Sequence, residues 1–369
     1  MHTTAHKTAA WPLALLYAGL IVYASLYPFL DWRNQGIAPW TYLFTQISPY
    51  WTGFDVSVNA AGYAPLGALL ALSTLRSGRL RRSHVLFATV LGFLLALVME
   101  GLQSYLPARV SSKEDLALNT LGTCLGAIAA TALERMGAIS RWGRLRARWF
   151  VEHARGGLVL LATWPLALLF PAAVPFGLGQ VLERVEDAVR QQLAGTPFLD
   201  WLPVRPPVLA ALAPGAEMVC VMLGVLIPCL LAFCVTLSSR RRMIMAVSVI
   251  AVGVLTTALS SALSWGPQHT WAWLGLPTQV GITLAAVAAL VLAWAPWRLS
   301  GAMLLLALGL YLSLLNQAPE SPYFSQTLQA WEQGRFIRFH GLAQWLGWLW
   351  PYATLFYVLT QIGRRDAKN

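Results

Sequence analysis

The sequence predicts an all-α, polytopic integral membrane protein of about ten transmembrane helices with both termini cytoplasmic, and three observations carry that expectation. Hydrophobic residues fill 57% of the 369 positions and charged residues only 11%, against roughly 25% charged in a soluble domain. Apolar runs of about 20 residues, the length that crosses a hydrocarbon core of roughly 30 Å, recur from Trp11 to Leu359. The basic residues gather in alternate short loops, as the positive-inside rule requires.

In chain order, the predicted spans cover residues 11–30, 57–75, 84–106, 115–134, 157–176, 216–237, 243–264, 275–294, 299–316 and 341–361. The first runs into Tyr27-Pro28-Phe29 with no small-residue cleavage site, which reads as a retained span rather than a signal peptide. With the N-terminus inside, 18 of the 26 Lys and Arg residues fall in cytoplasmic segments. The basic stretch 136–156 is the expected boundary. It separates a four-helix domain, 1–135, from a six-helix domain, 157–369, and is expected to lie on the anionic inner leaflet. Val181, Leu182, Val185, Val189 and Leu193 recur at helical spacing among charges, so an amphipathic helix is expected near 178–194 on the outer membrane surface.

Several function classes are excluded at this level. The net charge of +11 is spread over membrane loops, with no basic stripe or reader motif, which argues against nucleic-acid binding. Cys124, Cys220, Cys229 and Cys234 lie inside apolar runs without CxxC spacing, so neither a disulfide framework nor a metal site is expected. No cofactor motif is present: there is no HExxH and no phosphate-cradling glycine loop. Pro-Phe-Leu-Asp-Trp occurs at 28–32 and again at 197–201, with no wider similarity around it. Most of the 17 Trp residues, Trp345, Trp348 and Trp350 among them, read as interface anchors.

Charged and amide side chains inside spans are costly and rare, so those present are candidates for function. Span 2 enters through Asp55, with Asn59 one turn deeper. Span 3 carries Glu100 and Gln103 near its exit. Span 4 begins at Ser112 and Asp115 and brings Asn119 one turn inward. Residues three or four apart share a helix face, so the three helices are expected to bring these groups to one outer-leaflet layer. Arg109 and Lys113 lie in the loop above it, and a guanidinium suits bidentate capture of phosphate or carboxylate. The bland readings are specific. Glu100 serves as a neutral or amide-paired lock between spans, Asp115 belongs to a Ser112-x-x-Asp115 capping box, and Asn59 and Asn119 bond between helices. Glu217, His269, His340, Arg335 and Arg338 are outer residues able to extend a site. Gly122 and Gly126 form Gly-x-x-x-Gly, a surface on which a packing partner helix can approach closely.

Asp55-x3-Asn59-x5-Pro65-x-Gly67 and Glu100-x2-Gln103-x3-Pro107-x-Arg109-x2-Ser112-x2-Asp115-x3-Asn119-x2-Gly122-x3-Gly126 resemble the two signature blocks of the VanZ-like family, and Tyr27-Pro28-Phe29 resembles its opening. The resemblance covers roughly residues 11–135. It implies a multi-pass protein of the bacterial cell envelope, in the inner (plasma) membrane, within a family named for lowered susceptibility to teicoplanin; it supplies no reaction. Two functions are carried forward. The first is binding of a membrane lipid or an anionic, lipid-linked envelope precursor through Asn59, Glu100, Gln103, Arg109, Ser112, Asp115 and Asn119. The second is intramembrane catalysis on a lipid-linked substrate, with Glu100 and either Asp115 or Asp55 as acid and base. Transport would need a polar path to the cytoplasmic side, and the inner halves of the spans are apolar.

Overall fold

A computed structural model describes residues 10–26, 29, 31–36, 38–45, 53–77, 83–107, 109–201, 211–319 and 337–366. Among the described residues there are twelve α-helices and no strand, only an isolated bridge between Phe150 and Thr236. The protein is an all-α polytopic membrane protein. In order the helices are α1 (Ala10–Leu26), α2 (Gly53–Ser77), α3 (His84–Gln103), α4 (Lys113–Arg135), α5 (Ala138–Trp149) and α6 (Arg155–Leu168). Then follow α7 (Leu182–Leu193), α8 (Pro214–Val235), α9 (Ser239–Trp265), α10 (Leu276–Leu292), α11 (Trp297–Leu315) and α12 (Ile337–Asp366). Each of the ten expected spans overlaps one of these helices; α5 and α7 are the two additional, charged ones. On length and composition, α3, α4, α8, α9 and α11 suffice to cross a membrane, and α1, α6 and α10 are shorter apolar helices.

The chain divides into two compact units, Met1–Arg144 and Leu145–Asn369. In the first, α2 and α4 pack backbone to backbone. A Cβ placed on Gly122 would stand 2.1 Å from the Ala60 carbonyl oxygen, and one on Gly126 would stand 1.9 Å from that of Ala64. Gly67 faces the Thr123 carbonyl in the same way, and Gly92 brings α3 onto the Thr123 side chain. In lipid there is no water to expel between helices, so association depends on such close dispersion contact. Both glycines of the Gly-x-x-x-Gly pair are therefore used within this unit, by α2.

In the second unit α8 is central: 83% of its apolar window is buried, against 28% for α9 and 39% for α11. Around it lie Trp164, Leu304, Leu308 and Tyr311, all nearly inaccessible. The expected span 157–176 is helical only as far as Leu168. Pro171 and Pro175 cannot continue the amide ladder, and the chain runs on as a buried non-helical segment in which Phe176 takes a φ of 62°. Non-helical backbone at membrane depth is tolerated where protein satisfies it, and α11 and α12 do so here. The Tyr311 hydroxyl accepts from Leu178 N and donates to Phe176 O, and Asn316 Oδ1 accepts from Val181 N and Leu182 N. Gly179 N donates to Gly347 O, and the Tyr352 hydroxyl donates to Gly179 O.

One reading of a side chain needs correction. Trp350 is no interface anchor: it is 4% exposed, donates its indole N–H to Leu160 O and packs beside Trp164, because α12 lies on α6. The two Pro-Phe-Leu-Asp-Trp copies differ in backbone. The second forms a 3-10 turn over Pro197–Trp201, whereas Phe29 and Asp31 of the first have positive φ, which fits chance recurrence.

Candidate functional site

The polar groups singled out in the first four spans lie within the first unit, and their depth follows from helix geometry. Gly92 on α3 touches Thr123 on α4. Glu100 lies eight residues further along α3 and Asp115 eight residues back along α4, about 12 Å in each case at 1.5 Å per residue. Because the two helices run antiparallel across a short turn, both carboxylates come to one level.

Local sequence explains how each is held. Ser112 is extended and caps α4, its hydroxyl accepting from Asp115 N at 3.0 Å; Glu114 and Asp115 in the first turn suit the positive end of the helix. Asn59 of α2 donates its amide to Asp115 Oδ1, an interhelical bond. Glu100 is 3% exposed, so it faces protein and not lipid, and its Oε2 accepts from Ser112 N at 2.9 Å while its carbonyl accepts from the Ser111 hydroxyl. The carboxylates thus form two neighbouring arrangements, Asn59 with Asp115 and Glu100 with the α3–α4 turn. The Asp55 backbone belongs to α2, but its side chain lies outside the described residues.

The remaining expected members tie the turn to the first span. Gln103 donates to Ser25 O at 2.9 Å and Arg109 to Ala24 O at 3.1 Å. Lys113 donates to Thr45 O, at the end of the 3-10 turn Thr41–Phe44. Asn119 is 6% exposed, and its Oδ1 has no hydrogen-bond partner among the described residues. Of the outer residues expected as extensions, Glu217 opens α8 and His269 is exposed beside Trp265 O, both in the second unit. Arg335 and the side chains of Arg338 and His340 lie outside the described residues. Among the described residues no group of three His, Cys, Asp or Glu is placed to hold a metal ion.

Sequence reasoning passed over two tyrosines. Tyr42 and Tyr63 are each 5% exposed, and both are close enough to Glu100 for its charge to act on them; the Tyr42 hydroxyl lacks a hydrogen-bond partner among the described residues, whereas that of Tyr63 has the Ser25 side chain beside it. Burial first, and the Glu100 charge second, push the Tyr42 phenol above the usual tyrosine range. Tyr63 sits four residues after Asn59, on the same helix face, a signal that was present in the sequence. Tyr42 had none, since it lies on a loop turn. Glu114 Oε1 is a further buried acceptor with no hydrogen-bond partner among the described residues.

Residues 10–134 match the family model described as VanZ/LLP1. The first four spans are VanZ-like. The match covers about a third of the chain and contains both signature blocks, every residue of the arrangement just described and the glycines that seat α2 on α4. No curated protein matches the chain, and no solved structure does.

Proposed function

We infer that the VanZ-like unit binds the phosphorylated headgroup of an envelope lipid or lipid-linked envelope precursor, entering from the outer leaflet of a bacterial plasma membrane. One observation carries this reading. Tyr42 Oη and Asn119 Oδ1 are buried without hydrogen-bond partners among the described residues, and Tyr42 lies within charge reach of the buried Glu100. Each such group costs about 1–3 kcal/mol if left unsatisfied, and native proteins keep few of them. A polar headgroup supplies the missing partners, and Arg109 and Lys113, in the turn at the same end of the helices, suit its phosphate.

The catalytic reading gains less support, since Asp115 and Glu100 already accept from Asn59 and Ser112 N, an arrangement that positions helices. Native mass spectrometry of the purified protein tests the binding reading directly. Glu100→Gln and Arg109→Ala are each expected to lower the amount of co-purified lipid; retention equal to wild type in both variants removes the proposal.

A further inference from the structure

Arg148 and Arg241 stand 93 residues apart in sequence, yet the second unit brings them into contact. Two backbone bonds tie the end of α5 to the end of α8. Val151 N donates to Val235 O at 2.9 Å and Leu237 N to Trp149 O at 3.0 Å, around the bridge between Phe150 and Thr236. Arg241 then donates to Arg148 O, and its guanidinium carbon lies 5.8 Å from the centre of the Trp149 ring. Val235 closes the buried apolar run of α8, so this junction stands where that helix leaves the hydrocarbon, at headgroup depth.

The arginines that open α9 divide by direction. Arg242 turns inward: it is 9% exposed and donates to Thr236 O and Ala295 O. Arg240 and Arg148 are exposed and Arg241 is half-buried. Among the described residues none of Arg148, Arg240 and Arg241 is paired with a carboxylate, and the bond to Arg148 O takes one of the five N–H donors of Arg241. Like charges gathered without a counter-ion repel one another, and an anion relieves that cost. α5 carries a matching apolar stripe. Trp142, Leu145 and Trp149 recur at helical spacing, the first two exposed, with Arg146 and Arg148 among them. That pattern suits a helix lying in the headgroup layer.

We propose that Arg148, Arg240 and Arg241, all in the second unit, bind the phosphate of a net-anionic lipid in the leaflet that the basic loops mark as cytoplasmic. The lipid is net-anionic because a zwitterionic headgroup brings a cation of its own into the cluster. The site is separate from the one in the VanZ-like unit and does not rest on it.

The test uses the full-length protein, delipidated in uncharged detergent and supplied with phosphatidylglycerol or phosphatidylcholine of identical acyl chains, with bound lipid read by native mass spectrometry. Wild type is expected to retain phosphatidylglycerol over phosphatidylcholine by about tenfold. Arg148→Gln and Arg240→Gln should each weaken phosphatidylglycerol retention about fivefold and leave the thermal midpoint of the lipid-free protein unchanged. Arg109→Ala, in the first unit, should leave the preference in place, and millimolar inorganic phosphate should not displace the lipid. Equal retention of the two lipids by wild type overturns the proposal, as does an unaltered preference in both glutamine variants. A lowered lipid-free midpoint in both variants marks the arginines as structural, and displacement by phosphate assigns the cluster to a free anion; either result also overturns it. Loss of the preference in Arg109→Ala alone moves the anionic lipid to the first unit, so the two readings fail separately.

Discussion

The contact between α2 and α4 offers a sharp test of how the VanZ-like unit is held together. Replacing Gly126 by Ala puts a methyl group 1.9 Å from the Ala64 carbonyl oxygen, where real Cβ atoms do not come within 3.0 Å; α2 must retreat by about 1.1 Å. The obstacle is backbone, so no side-chain rotation relieves it. Overpacking of this kind costs about 1–3 kcal/mol and at times more, offset by at most about 1 kcal/mol from the better helix propensity of Ala. Gly122→Ala, 2.1 Å from Ala60 O, should behave alike. Gly62 on α2 is the control, since a Cβ there meets nothing within 4 Å; Gly62→Ala should be neutral or stabilising. Thermal unfolding in detergent, followed by the loss of monodisperse protein on size exclusion, should show Gly126→Ala several degrees below wild type and Gly62→Ala at or above it. If all three variants unfold together, the two helices do not approach as described.

Tyr311→Phe in the second unit removes both the acceptor for Leu178 N and the donor to Phe176 O in a buried non-helical segment. Two stranded groups at about 1–3 kcal/mol each should lower the thermal midpoint, whereas an unchanged midpoint means the segment is satisfied otherwise. Alkaline pH should act through Tyr42. Its folded-state pKa is raised above the ordinary 10.0, so the stability it contributes is complete below that value and is lost as pH rises through the folded one. Midpoints measured from neutral to alkaline pH should fall more steeply for wild type than for Tyr42→Phe above pH 10.0; parallel curves exclude this phenol from the alkaline limb.

Lipid as solvent explains why so much of the architecture was legible from the residues alone. Ten runs of apolar residues gave ten helices because a backbone without water must bond to itself, and no partner is needed to decide that. Ser112, Asn59 and Glu100 stood out because polar groups in such runs are costly. Residues 169–181 departed from expectation for the same reason in reverse: an apolar run broken by Pro171 and Pro175 left its helix, and the groups that satisfy it, Tyr311, Asn316 and Tyr352, come from helices more than 120 residues later.

By itself, then, the sequence determined the fold class, the helices and the short list of polar residues in the first unit, since each depends on composition and on spacing within one helix. Only the tertiary structure decided who meets whom. It seated Gly122 and Gly126 against α2, gave Asp115 to Asn59 and Glu100 to the α3–α4 turn, and brought Tyr42 from a loop and Tyr63 from α2 to the same carboxylate. Those pairings depend on the rotation and depth of one helix against another, which periodicity along a single helix does not encode.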